Sequence, residues 1–145
     1  MRLRNLLGIS LDEVRVDKAH VAKLISAAER NIADAQLQGL SNENRFDAAY
    51  KAIMQLAMLA LNANGFRTLT SKPGHHQTAI QTLPLTVGLA QPKVILLDAL
   101  RKQRNLADYS GDLVPDAIAA ECLASAKELF GHIRAWLAVH KPELL

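Results

Sequence analysis

Cysteine and aromatic residues are scarce in this chain: one thiol, Cys122, and 4% aromatics in 145 residues. A single cysteine excludes an internal disulfide framework and any cysteine-built zinc site; it fits a reducing compartment, so a cytoplasmic location is expected. With so few rings the core must be filled by Leu, Ile, Val, Met and Ala, and alanine-rich faces let helices approach closely. No segment reaches about 18 consecutive apolar residues, so no membrane span is expected. The N-terminal MRLRNLLGISLDE places basic residues ahead of a short apolar run, but Asp12 and Glu13 interrupt it before a secretory hydrophobic region could form. No glycine-rich phosphate loop, Ser-His-Asp order or HExxH spacing occurs, and there is no repeat or low-complexity tract. Neither a metal nor a cofactor is therefore expected. The formal charge of +3 is compatible with polyanion binding and too modest to specify it.

What is present is the balance of a folded protein, 50% hydrophobic and 21% charged. A chain of this length is expected to form one domain, 1–145, with an N-terminal arm over 1–16 and a helical bundle over 17–140. Val21, Leu24, Ile25, Ala28, Ile32 and Ala35 recur at helical spacing and predict a first helix ending near Gly39. Ser41 or Asn42 can cap a second helix, stopped by Asn64 and Gly65, whose middle, IMQLAMLAL from Ile53 to Leu61, is apolar nearly all round. Such a helix must be covered on more than one side, by the rest of the bundle or by a subunit interface. FRTLTSKPG, from Phe66 to Gly74, has the composition of a surface loop. A short helix is predicted from His75 to near Pro84, a fourth with Pro92 in its first turn and Ile95, Leu96, Ala99 and Leu100 as its apolar residues, and a last one from about Pro115 to His140. Without period-2 alternation of useful length, the expected fold is all-α, an antiparallel four- to five-helix up-and-down bundle with no sheet.

The densest polar stretch is LRKQRNLADY, from Leu100 to Tyr109, at the end of the fourth predicted helix. Helical spacing puts Arg101, Arg104 and Asp108 on one strip bordering an apolar stripe of Leu96, Ala99, Leu100, Gln103 and Ala107. One consequence is an i,i+4 ion pair between Arg104 and Asp108, worth only tenths of a kcal/mol (about 0.3–0.5). The other is a forked guanidinium beside a carboxylate and a phenol, which suits a phosphate or nucleotide, with Arg101, Lys102, Arg104, Asn105, Asp108 and Tyr109 as ligand-binding candidates. His75 and His76 follow Gly74 at a helix start, and a bundle could bring that end near the motif to serve a phosphate or a proton transfer. As metal ligands they are poorly placed, since adjacent helical side chains diverge by about 100°. His20, His132 and His140 carry no assigned chemistry; Cys122, Tyr50 and Trp136 sit at core-facing positions where packing explains them.

A second helix carrying RFDAAYKAI, then a Gly-Phe-Arg turn, a Gly-His-His segment and a helix ending in RNLADY resembles the HEPN superfamily, most closely the bacterial branch associated with minimal nucleotidyltransferases. The likeness spans roughly Asp17 to His140. It implies a four- or five-helix bundle that forms homodimers with the polar motif of each copy at a shared cleft. It also implies a toxin-antitoxin or defence role, with RNA or a nucleotide as ligand and a nucleotidyltransferase antitoxin as partner. The family's catalytic pattern is an Arg, usually followed by a polar residue, with a His a few residues on. Arg104 and Asn105 match its start, and Arg104 is the catalytic candidate, but the positions of the His hold Tyr109, Ser110 and Gly111. Metal-independent endoribonuclease activity therefore requires another group to exchange the proton. The alternative reading is a noncatalytic helical dimerisation module that partners a nucleotidyltransferase.

Overall fold

A computed structural model describes residues 2–111 and 113–145, and of residues 107–110 the backbone alone. The chain is mostly helical. A 3₁₀ turn over Leu3–Leu6 leads into strand β1 (Leu11–Glu13), followed by α1 (Lys18–Ala35), α2 (Asn42–Ala63), β2 (Phe66–Thr68), α3 (His75–Gln81), α4 (Leu83–Val87), α5 (Gln91–Ser110) and α6 (Asp116–His140). Local chemistry sets most of these limits. Asp17 caps α1 by accepting from the amides of Ala19 and His20, and Ser41 caps α2 by accepting from that of Asn44. Pro142 falls in a final 3₁₀ turn, where α6 has stopped.

The expectation of a helical bundle holds, but the chain also contains a sheet, and the helix expected from His75 to near Pro84 is two, α3 and α4. β1 and β2 pair antiparallel, with Leu11 opposite Thr68 and Glu13 opposite Phe66. Thus part of the predicted arm, and part of the predicted surface loop, form a ribbon against the end of α2. Three-residue strands are too short to show an alternating pattern in a sequence. What makes the pairing is burial of Leu11, Phe66 and Thr68, together with a turn at Gly65, whose φ of 87° is accessible to glycine and whose carbonyl accepts from the Val14 amide at 2.9 Å.

Helix α2 is the axis of the molecule. It touches α1, α3, α4, α5, α6 and β2, and twelve of its residues are buried, among them Ile53, Leu56, Leu59 and Leu61. Its all-round apolarity is therefore satisfied within one chain. Hydrogen bonds give the directions of its neighbours. Arg45, near the start of α2, reaches the end of α1, and Gln55 meets Asn31, so α1 and α2 run antiparallel. Asn42 bonds Asp116, and the Cys122 thiol approaches the Phe46 carbonyl, so α6 runs parallel to α2.

Arg45 donates from Nε to the Ala35 carbonyl at 2.8 Å and from Nη2 to that of Leu37 at 2.9 Å. It caps from a distance the last carbonyl of α1, beside Gln36, whose Nε2 donates to the Ile32 carbonyl. Arg45→Leu is expected to lower unfolding stability by about 1.5–3 kcal/mol, the usual worth of charge-assisted hydrogen bonds. Urea denaturation should show a lower midpoint at unchanged slope.

A further correction concerns α5. Among its described residues Val94, Leu97 and Leu100 are buried, whereas Ile95, Ala99 and Gln103 are exposed and Leu96 is half-buried. The predicted stripe is rotated by about one residue. Apolar residues occupy nearly every position from Val94 to Leu100, so periodicity alone could not choose the face. The observed face continues through Arg101 to Arg104, both half-buried.

Candidate functional site

On the exposed side of α2 lies a recess of about 460 Å³, between α1, α3 and α5. Tyr50, Lys51, Met54, Gln55 and Met58 of α2 line it, spaced to fall along one face of the helix. His76 enters from α3, Arg104 from α5 and Leu24 from α1. The recess is polar toward the start of α2, where Asp47, Tyr50, Lys51, His76 and Arg104 gather, and apolar further along, where Leu24, Met54 and Met58 form the walls.

Three side chains are organised around Tyr50. Its ring stacks on Phe46 with centroids 6.3 Å apart and planes within 2°. The guanidinium carbon of Arg104 sits 5.1 Å from the ring centroid, within range of a cation–π contact. Its hydroxyl lies 3.2 Å from Nδ1 of His76. Burial pushes the Tyr50 phenol up to about 12, despite the opposing charges of Arg104 and Arg101, so it stays protonated at any physiological pH. His76 is shifted the other way: burial, then His75, Arg104 and Arg101, hold its imidazole below the usual range. At neutral pH the ring is therefore uncharged, with one nitrogen engaged by Tyr50. If Nδ1 donates to the phenol oxygen, Nε2 is free to accept a proton; in the other tautomer Nε2 carries a hydrogen that can be donated to an anion.

The lowered His76 value has a sign for stability. The unfolded chain takes up the proton more readily, so stability is complete above the ordinary histidine range and falls as pH drops through it. Melting temperature is expected to decline between pH 7.5 and 5, and His76→Gln should flatten that decline. An equal slope in the variant would remove His76 from the account.

Of the predicted site residues, Arg104 and His76 are brought together. Arg101 is not in the recess; it donates from Nε to Asp98 at 2.8 Å, and Lys102 reaches the same carboxylate at 3.6 Å. Asp98, one turn earlier on α5, was not singled out from the sequence, and it pairs with both cations. Asn105 is exposed and does not line the recess. His75 is half-buried and packs edge-on against His76 with centroids 4.7 Å apart. Asp108 and Tyr109 lie outside the residues whose side chains are described. Tyr50, which sequence reasoning assigned to packing, is buried as expected but also joins Arg104 to His76. A buried phenol needs a polar partner, the one signal in the sequence that pointed to a second role.

Among the described residues, no three His, Cys, Asp or Glu side chains group as a metal set, and no helix is long and apolar enough to cross a membrane. Comparison with protein-family models, with curated proteins and with solved structures finds no match to this chain.

Proposed function

We propose that the recess binds a nucleotide, free or as a unit of an RNA strand, with the phosphate at Arg104 and Lys51 and the base between the methionines. The observation that carries this reading is the convergence of Arg104 and His76, from separate helices, on the buried phenol of Tyr50 at the polar end of an otherwise apolar recess. A guanidinium offers forked donors that match phosphate oxygens. Leu24, Met54 and Met58 offer the apolar walls that a base ring requires. The resemblance to the HEPN superfamily, with its toxin-antitoxin and defence proteins, agrees with such a ligand.

Where the ligand is RNA, His76 is the group that takes the place of the missing motif histidine. Its uncharged ring accepts the proton of the attacking 2′-hydroxyl as that oxygen bonds to the phosphorus held at Arg104. The bond to the 5′-oxygen breaks, leaving a 2′,3′-cyclic phosphate, and the departing oxygen takes up a proton from water. His76→Gln is expected to retain RNA affinity while slowing cleavage by about 10²-fold or more, the usual worth of a positioned base. Cleavage of a labelled oligonucleotide at equal rates by both proteins would remove this role. The binding reading itself is tested by titrating labelled RNA and nucleotides at rising salt, where affinity should fall as phosphate contacts lose their counterion advantage. No affinity for any of them would overturn it.

A noncatalytic assembly role has one observation in its favour. The outward strip of α5 exposes Ile95 at 62% and Leu106 at 63%, with Ala99 between them on the same face. Under that reading a second copy of this chain covers the strip, at or near the cleft, or a nucleotidyltransferase partner engages the assembled pair. Ile95→Glu with Leu106→Glu should then shift the oligomeric state in sedimentation without loss of helicity, and an unshifted profile would exclude the strip.

A further inference from the structure

We propose that Gln55 reads the base of the bound nucleotide as a hydrogen-bond donor, so that the recess favours the keto-bearing bases uracil and guanine over cytosine and adenine. The inference rests on the nucleotide-binding reading above and adds the identity of the base.

Gln55 is the side chain at the apolar end of the recess that can tell one base from another. Its neighbours there, Leu24, Met54 and Met58, have no strong donor or acceptor and can only contact a ring by its face. A glutamine amide is ambiguous by itself, having both an acceptor oxygen and two donor hydrogens. The pairing with α1 decides which of the two faces the recess. Asn31, on α1, donates from Nδ2 to Oε1 of Gln55 at 2.9 Å in a part-buried contact between the helices. With the oxygen held by α1, the NH₂ group is what Gln55 presents to the recess it lines.

The position along α2 also fits. Arg104 lies over Tyr50, and Gln55 comes five residues later, roughly 7.5 Å further along the helix axis at 1.5 Å per residue. A ribose can bridge that interval, setting a phosphate at the guanidinium and a base edge at the amide. Uracil O4 and guanine O6 accept a hydrogen bond from NH₂, whereas the amino groups of cytosine and adenine at the equivalent edges would set donor against donor. A partly desolvated amide facing the wrong group loses its partner, and this mismatch gives the discrimination. Asn31 acts here as a positioning residue and touches no ligand.

The experiment is calorimetric titration of the full chain with UMP, GMP, CMP and AMP at one salt concentration. UMP and GMP should bind about tenfold more tightly than CMP and AMP, in line with one base-edge contact. Gln55→Glu keeps the shape and the bond from Asn31 but can only accept; every affinity should fall through charge repulsion, and the order should reverse. Asn31→Asp leaves the recess lining intact and makes α1 the acceptor, turning the Gln55 oxygen toward the base, so it should reverse the order as well. Equal affinities for the four nucleotides in the unsubstituted protein would overturn base reading while leaving the phosphate site standing. An order unchanged in both variants would overturn the role of Gln55. Failure to bind any of the four would overturn base reading of free nucleotides, and failure to bind RNA as well would overturn both proposals together.

Discussion

Arg104→Ala is expected to weaken binding of an RNA oligonucleotide about 10- to 100-fold at fixed salt and to lower the melting temperature by a few degrees, as the lost contact with Tyr50 requires. The guanidinium is half-buried, at the polar end of the recess and over the Tyr50 ring. A hydrogen bond to a charged group contributes about 1.5–3 kcal/mol, and 1.4 kcal/mol is a factor of about ten. The cation–π contact with Tyr50 is worth about 0.5–2 kcal/mol, and the ring retains its stacking on Phe46 when the guanidinium is removed. Arg104→Lys separates charge from geometry: it keeps the cation, loses the fork and should recover only part of the affinity. The salt dependence gives a second readout, since loss of one phosphate contact should reduce its slope by about one. Affinity unchanged in Arg104→Ala, with an unchanged slope, would place the ligand elsewhere.

Leu59→Ala is expected to cost about 2–5 kcal/mol of stability, the range for removing a buried leucine without full collapse around the space. Leu59 is wholly buried on α2, the helix that touches nearly every other element. Met58, its neighbour in sequence, behaves differently because it is half-buried at the recess, with its sulfur 3.8 Å from the Thr68 hydroxyl. Met58→Ala should cost less stability and act on ligand affinity instead. The pair thus separates a packing position from a binding one within a single turn. Chemical denaturation of both variants beside a nucleotide titration checks the division, and equal stability losses would contradict it.

The same contrast shows how far this chain can be understood from its residues alone. The cap at Ser41, the stop at Asn64 and Gly65, and Pro92, Pro115 and Pro142 act within a few residues, so the limits of α2, the start of α5 and both ends of α6 could be read directly, whereas α1 ends at Ala35, short of Gly39, and the helix expected from His75 to near Pro84 is two, α3 and α4. The small sheet could not, because pairing of Leu11 with Thr68 joins segments 57 positions apart. The face of α5 was misread for a related reason: with apolar residues at almost every position from Val94 to Leu100, the neighbouring helices choose which ones are buried.

By itself the sequence determined that this protein is built from helices, that α2 needs covering on several sides, and that polar chemistry gathers near Arg104 with a histidine pair earlier in the chain. Tertiary structure decided which of those groups meet. Asp98 pairs with Arg101 and Lys102, α3 carries His76 to the Tyr50 hydroxyl, and Asn31 bonds the Gln55 amide. The physical reason is range. Capping, turns and periodicity act over a few residues and are written locally. Hydrogen bonds between helices depend on how the helices pack, and no spacing along the chain records that.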